Sequence, residues 1–323
     1  MSMYLWSMLA GSVLIFSLYG LRCSKAVRLP ALRGRAWETA LLAFAFSALF
    51  GTVLARIGYA LLMQELDFEF DGIGALSQLL EFEIDSVSFF CGAAGVCLGV
   101  LLANRITRKG SLFAGMDAFA PFGALLAALF RLGELFFGSY GAGSELPEGS
   151  PLAFFPFALR IPVQGSSDYW AWAVCVLSAF FALLWAGFVF LRLRNGSRPG
   201  YVFSLSLFFL ALPQILCESM RKRGMFWLFI HTEQLLCGIL LAAILLFWIL
   251  KSDRGLPFLR RWSPLALLLL CIGLLVGVEF AIDGKLFDLP PSVCYLVMIA
   301  VLAAIGYTGA VTAGRYNRGK QSL

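Results

Sequence analysis

The stretch 130–138 sets Arg131 and Glu134, with Gly133 and Gly138 beside them, into an otherwise apolar run. Three residues apart, the two charged side chains share one helix face. Inside a bilayer an unpaired charge costs about 2.5–3.5 kcal/mol, so each must find a partner. Two readings meet that demand: a structural ion pair at the membrane edge, or a site that binds an anion. Further ionisable residues interrupt apolar runs at Arg56, Asp117, Glu218, Arg221, His231, Glu233 and Glu279. His231 is the only histidine. Its ordinary pKa lies near neutrality, which makes it a candidate general base, with a hydrogen-bonded interface residue as the plainer reading. Gly92, Gly95 and Gly99 allow either close helix approach or backbone access for a ligand.

Membrane helices must position these residues. Of 323 residues, 60% are hydrophobic and 14% charged, too few polar groups to cover a soluble globule. The expectation is an all-α, polytopic membrane helix bundle of about nine transmembrane helices. Apolar length places them at 4–21, 37–63, 86–104, 115–137, 169–191, 201–217, 225–250, 264–282 and 293–313. No basic region precedes the first run, which therefore reads as a retained span and not as a cleaved signal peptide. The eight cysteines are scattered without a Cys-x-x-Cys pair and read as small apolar fillers. No metal and no cofactor is expected. The net charge of +6 gathers in short clusters between spans, a topology signal that argues against nucleic acid as a partner.

Basic clusters within 22–35, 105–109, 192–198 and 251–261 and at 315–320 fall on alternate connections. The positive-inside rule then puts the N-terminus outside and the C-terminus in the cytoplasm. Arg221, Lys222 and Arg223 are the exception, a basic group on the side assigned to the exterior. The outer loop 64–85 carries Glu65, Asp67, Glu69, Asp71, Glu81, Glu83 and Asp85 in a strand-like alternation. Without EF-hand spacing it reads as a solvated acidic rim and not a calcium site. The outer loop 139–168 is rich in Gly, Ser and Pro, holds Phe154, Phe155 and Phe157, and reads as a lid or entry platform.

On this topology Arg56, Arg131, Glu134, Glu218, His231, Glu233 and Glu279 share the outer half of the bilayer. Asp117, near the cytoplasmic start of span four, reads as a helix-start residue facing amide donors. A shared depth points to one outward-facing polar cavity. Arg131, Arg160 and Arg221 would converge there on an anion, at this depth a phospholipid head group, because a guanidinium fork grips phosphate at two points.

The order of these motifs resembles the bacterial prolipoprotein diacylglyceryl transferase family. Gly92 to Gly95 is similar to the family's glycine-rich half-span, and Asp117-Ala118-Phe119-Ala120-Pro121 to its Asp-x-x-Ala-Pro helix start. Arg131-Leu132-Gly133-Glu134 with Gly138 resembles its Arg-x-Gly-Asn-x-x-x-Gly-Glu stretch, and Arg160-Ile161-Pro162-Val163-Gln164, followed by Tyr169, its outer-loop Arg-His-Pro-x-Gln. Gln214, Glu218 and Arg221 follow the late Arg-x-x-x-Glu-x-x-Arg pattern, and Gln234 stands where the family has a glutamine opening its last span. The likeness covers about 86–250. It departs at Phe90 or Cys91 and at Ile161, where the family has histidines, at Glu134 for asparagine, Ser139 for glutamate and Gln214 for arginine. The chain divides into a transferase-like core, 1–250, with its outer lid at 139–168, and two additional spans with a basic cytoplasmic tail, 251–323.

The resemblance implies phosphatidylglycerol-dependent transfer of diacylglyceryl to a lipobox cysteine thiol of prolipoproteins, in the bacterial cytoplasmic membrane. Phosphatidylglycerol and a prolipoprotein signal peptide would be its partners. For that reaction Arg131 is read as the phosphate clamp, assisted by Arg160 and Arg221, Glu134 or His231 as the base in place of the family's absent histidine, and Glu218 as the residue that orients an arginine. Arg160, Gln164, Arg221, Gln234, Gly133, Gly138, Gly92, Gly95 and Arg56 would contact the substrate. A catalytically inactive paralogue that binds phospholipid or a partner protein, and a small lipid or anion carrier, stand as the alternatives.

Overall fold

The computed structural model describes residues 2–24, 35–62, 87–107, 112–162, 167–192, 197–222, 226–227, 230–252, 257–282, 284 and 289–318. The acidic loop 64–85, Gln164 and Arg223 lie outside the described residues. Among those described are nine helices long and apolar enough to cross a membrane. They are α1 (Ser2–Ser24), α2 (Ala36–Leu62), α3 (Phe89–Thr107), α4 (Leu112–Gly133), α5 (Val174–Arg192), α6 (Tyr201–Ser219), α7 (Thr232–Lys251), α8 (Phe258–Ile282) and α9 (Pro291–Arg318). The all-α membrane bundle expected from composition is the fold. In lipid the backbone must satisfy its own hydrogen bonds, and helices this long do so.

At three spans an expected helix end is other structure, and the eighth helix starts six residues earlier and the ninth ends five residues later than expected. The fifth helix starts at Val174 because Tyr169–Trp172 is a strand, β2, paired antiparallel with β1 (Ala158–Ile161). The seventh starts at Thr232 because Phe226–Trp227 (β3) pairs with Ile230–His231 (β4). The fourth leaves α-geometry after Gly133 and continues as a 3-10 segment, Glu134–Gly141. Aromatic and β-branched residues beside a helix extend its apolar run, and length alone does not separate the two.

Two cores hold the bundle. One joins α1 to α4 around Tyr19, Val100 and Phe119; the other joins α6 to α9 around Phe208, Leu241, Trp248, Leu268 and Met298. Between helices in lipid, close packing replaces the hydrophobic driving force. It is tightest where α2 meets α3: a Cβ on Gly99 would lie 2.5 Å from the Ser47 nitrogen, and one on Gly95 2.8 Å from the Gly51 Cα. Asp117 is a correction. It lies inside α4, and its carboxylate accepts from the backbone nitrogens of Gly200 (2.7 Å) and Phe203 (2.8 Å), so it caps α6 and not its own helix.

Candidate functional site: a closed ring of buried charges

The last turn of α4 carries Arg131, and the turn after it carries Glu134. The last turn of α6 carries Glu218, and Arg221 follows one turn on. Each helix end thus bears an Arg/Glu pair at a spacing of three, and the packing of α4 against α6 crosses the two pairs. Arg131 Nη1 donates to Glu134 Oε1 at 2.5 Å and Nη2 to Glu218 Oε1 at 3.2 Å. Arg221 Nη2 donates to Glu134 Oε2 at 2.5 Å, and its Nε lies 3.1 Å from Glu218 Oε1. Glu218 also accepts from Gln214 Nε2 at 2.7 Å. Two guanidiniums and two carboxylates close a ring whose formal charges sum to zero. That balance is what lets Arg131 stand at 3% exposure, since a lone buried ion is prohibitively costly. The Phe89 ring lies under the Arg131 guanidinium at 3.7 Å. Burial works against the Arg221 charge, but the Glu218 and Glu134 carboxylates outweigh it and hold the guanidinium pKa above its ordinary value.

Two members of the basic group 221–223 have partners here. Arg221 is drawn into the ring, and Lys222 pairs with Glu145 at 2.5 Å. Residues 139–162 of the loop expected as a lid form a small folded cap over this point. Gly143 N donates to Trp172 O at 2.8 Å, Ser144 N to Met220 O at 3.0 Å, and Gly143 forms a β-bridge with Arg221. Position 143 must be glycine here, because a Cβ would stand 2.6 Å from both Met220 O and Val174 Cγ2. Gly138 takes a left-handed φ of 54°, the turn that carries the chain from α4 into the cap. A cavity of about 270 Å³ opens beside the cap, lined by Ser139, Ala142, Gly143, Tyr169 and Lys222.

A second polar layer adjoins the ring at the same end of the bundle. Glu233, at the start of α7, accepts from Ser88 Oγ at 2.6 Å and from the Phe90 nitrogen at 3.1 Å. Gln234 Nε2 donates to Ile215 O and to Glu279 Oε1. His231 is buried at the N-cap of α7. Each of the other expected site residues sits in its own setting. Arg160 lies on the exposed side of β1, paired with Asp168 at 2.9 Å. Arg56 is half-buried on α2. A Cβ on Gly133 would meet Met8 and Tyr4, and one on Gly92 would meet Ala55, so both are packing positions. Sequence reasoning marked Glu233 and Glu279 as intramembrane charges but assigned them no partner. The meeting of three helices, α3, α7 and α8, that supplies those partners leaves no trace in local spacing.

A family model described as prolipoprotein diacylglyceryl transferase matches residues 2–250, which takes in α1 to α7 and the cap and leaves α8 and α9 outside. No curated protein matches the chain.

Proposed function

The chain belongs to the prolipoprotein diacylglyceryl transferase family, and from that premise we propose that it transfers diacylglyceryl from phosphatidylglycerol to a lipobox cysteine, using the Arg131–Arg221 pair as its phosphate clamp. The observation that carries this reading is the shared carboxylate: Glu134 accepts from both guanidiniums at 2.5 Å. Two forks converging on one carboxylate offer the same donors to a phosphate.

In the reaction a base takes the thiol proton of the acceptor cysteine. The thiolate sulfur attacks the diacylglycerol carbon that is esterified to phosphate. A C–S bond forms as that C–O bond breaks, and the electron pair leaves on the phosphate of glycerol phosphate. Charge builds on the leaving oxygen, where preorganised donors help most. Arg131 and Arg221 would meet it there. Glu218, fixed by Gln214, orients both. Phosphate entry would release Glu134 from the guanidiniums, leaving a carboxylate at the reacting centre to accept the thiol proton; His231 is the second candidate base. Arg160, on the exposed face of the cap, would steer the anionic head group inward, with Gln164 and Arg56 as outer contacts.

A second reading rests on the closed, neutral ring and on Phe90 or Cys91, Ile161 and Gln214 at positions where the family keeps histidines and an arginine: a paralogue that binds phospholipid without turnover. One assay separates the two. Purified protein is incubated with labelled phosphatidylglycerol and a lipobox cysteine peptide, and the diacylglyceryl thioether is sought. Product supports the transferase; lipid binding without product under any condition supports the paralogue.

The site end is proposed to face outward. Glu148→Cys, on the cap, and Arg318→Cys, at the other end of the bundle, test this in a background where the half-buried Cys91 and Cys97 are replaced. An impermeant thiol reagent added to intact cells should label only the first. Labelling of the second alone inverts the topology.

A further inference from the structure

We infer that Glu279, on a helix beyond the family-matched stretch, is a positioning residue that fixes the Gln234 side chain as a hydrogen-bond acceptor for a hydroxyl of the bound lipid head group. This rests on the phospholipid reading above and adds a determinant of which head group is taken.

Gln234 Nε2 donates to Glu279 Oε1 at 2.6 Å and to the backbone oxygen of Ile215 at 3.0 Å. A carboxylate and a peptide carbonyl only accept, so both amide hydrogens are committed and the amide has one permitted orientation. Gln234 Oε1 then remains as a buried acceptor with no partner among the described residues, on a side chain in a residue only 6% exposed. Buried acceptors are almost always paired, and one left open calls for a donor from a ligand. The Ile215 carbonyl that holds Gln234 lies close in sequence to the phosphate clamp. Ile215 precedes Glu218 by three residues on α6, within one turn, and Glu218 binds both arginines of the ring. A lipid whose phosphate meets the ring would carry its head-group hydroxyl one turn away, within reach of Gln234.

The two helices outside the family match are therefore part of the site wall. α8 supplies Glu279, while Tyr295 of α9 donates to the backbone oxygen of Ser219, the last residue of α6, at 3.4 Å. Both helices also enter the core shared with α6 and α7.

The test uses the full-length protein in nanodiscs and compares binding of phosphatidylglycerol with that of the same lipid methylated on both head-group hydroxyls, which keeps the phosphate charge. One lost hydrogen bond to a buried acceptor predicts about a tenfold preference of the wild type for the hydroxylated lipid. Glu279→Gln still offers an oxygen to Gln234 and should keep that ratio. Glu279→Leu should bring it to about one with affinity for the methylated lipid unchanged. A ratio preserved in Glu279→Leu, or lost in Glu279→Gln, overturns the proposal. If Glu279→Leu does not fold, Gln234→Met carries the same test, and an unchanged ratio there overturns it equally. Wild-type protein that binds both lipids alike refutes this inference alone; wild-type protein that binds neither refutes the phospholipid reading beneath it. A loss seen only with acceptor peptide present would assign Gln234 to a peptide N–H, which also overturns it.

Discussion

Replacing Glu134 by glutamine isolates the tension built into the ring. Glu134 makes two charge-assisted hydrogen bonds, each at 2.5 Å, to Arg131 and Arg221. Such bonds are each worth about 1.5–3 kcal/mol. A phosphate that claims the same donors must displace both. Glutamine keeps an oxygen and the side-chain shape but removes the charge, and the ring passes from neutral to +1. Relief of about one such bond, roughly 1.5–3 kcal/mol, predicts binding of anionic lipid tighter by about 10- to 150-fold. The empty variant should be less stable, by up to about 3–5 kcal/mol, because a buried cation has lost its counter-charge. Saturating lipid at about 100 times Kd restores roughly 2.7 kcal/mol of that. Thermal unfolding in nanodiscs with graded phosphatidylglycerol in phosphatidylcholine reads both effects at once. If Glu134 is also the base, turnover should fall while affinity rises. Glu38→Gln, which breaks the solvent-exposed pair with Arg35, should change neither. A Glu134→Gln protein that binds phosphatidylglycerol no more tightly than the wild type would refute the view of Glu134 as an internal competitor.

Arg131→Ala should abolish binding of anionic lipid, and with it turnover, whereas Arg315→Ala on α9 should leave both intact; equal losses would mean that the ring is not the clamp. Asp117→Ala frees the Gly200 and Phe203 amides at the opposite end of the bundle and should cost about 1–3 kcal/mol of stability in a melting experiment, with lipid selectivity unaltered. Gly143→Val drives a branched side chain into Met220 O and Val174; protease digestion should then cut within 142–162 where the wild type resists, and thioether formation should fall. Gly99→Leu should separate α2 from α3 and lower the melting temperature without changing the lipid preference of whatever protein remains folded.

The helices were legible from the sequence because a bilayer demands long apolar runs, and composition reports them directly. Their ends were not. Tyr169–Trp172 and the residues before Thr232 are apolar enough to lengthen a span, yet they pair as strands. Within the site, the spacing of Arg131 and Glu134 announced an ion pair, and that pair exists. Glu218 and Arg221 stand at the same spacing and also pair. What no local pattern reveals is that each carboxylate serves both arginines, because that depends on the contact of α4 with α6. Asp117 shows the same limit in simpler form: a carboxylate facing amide donors was the right chemistry, but the amides belong to a helix that begins more than eighty residues later.

The geometry of the ring shows the structural ion pair, and the proposed anion site would use the same two guanidiniums. A membrane protein that must hold a phosphate clamp ready cannot leave two guanidiniums unpaired at 3% and 7% exposure while the ligand is away. It needs a resident anion strong enough to keep the clamp folded and weak enough to yield. Glu218 is poorly placed to yield, since Gln214 and both arginines hold its single oxygen Oε1. Glu134 is better placed. It stands at the first residue after α4, in a 3-10 segment, and the glycine that redirects this segment has no atom within 4 Å of where its Cβ would be. On the proposed function, the ion pair and the anion site are two states of one device, with Glu134 as the part that moves.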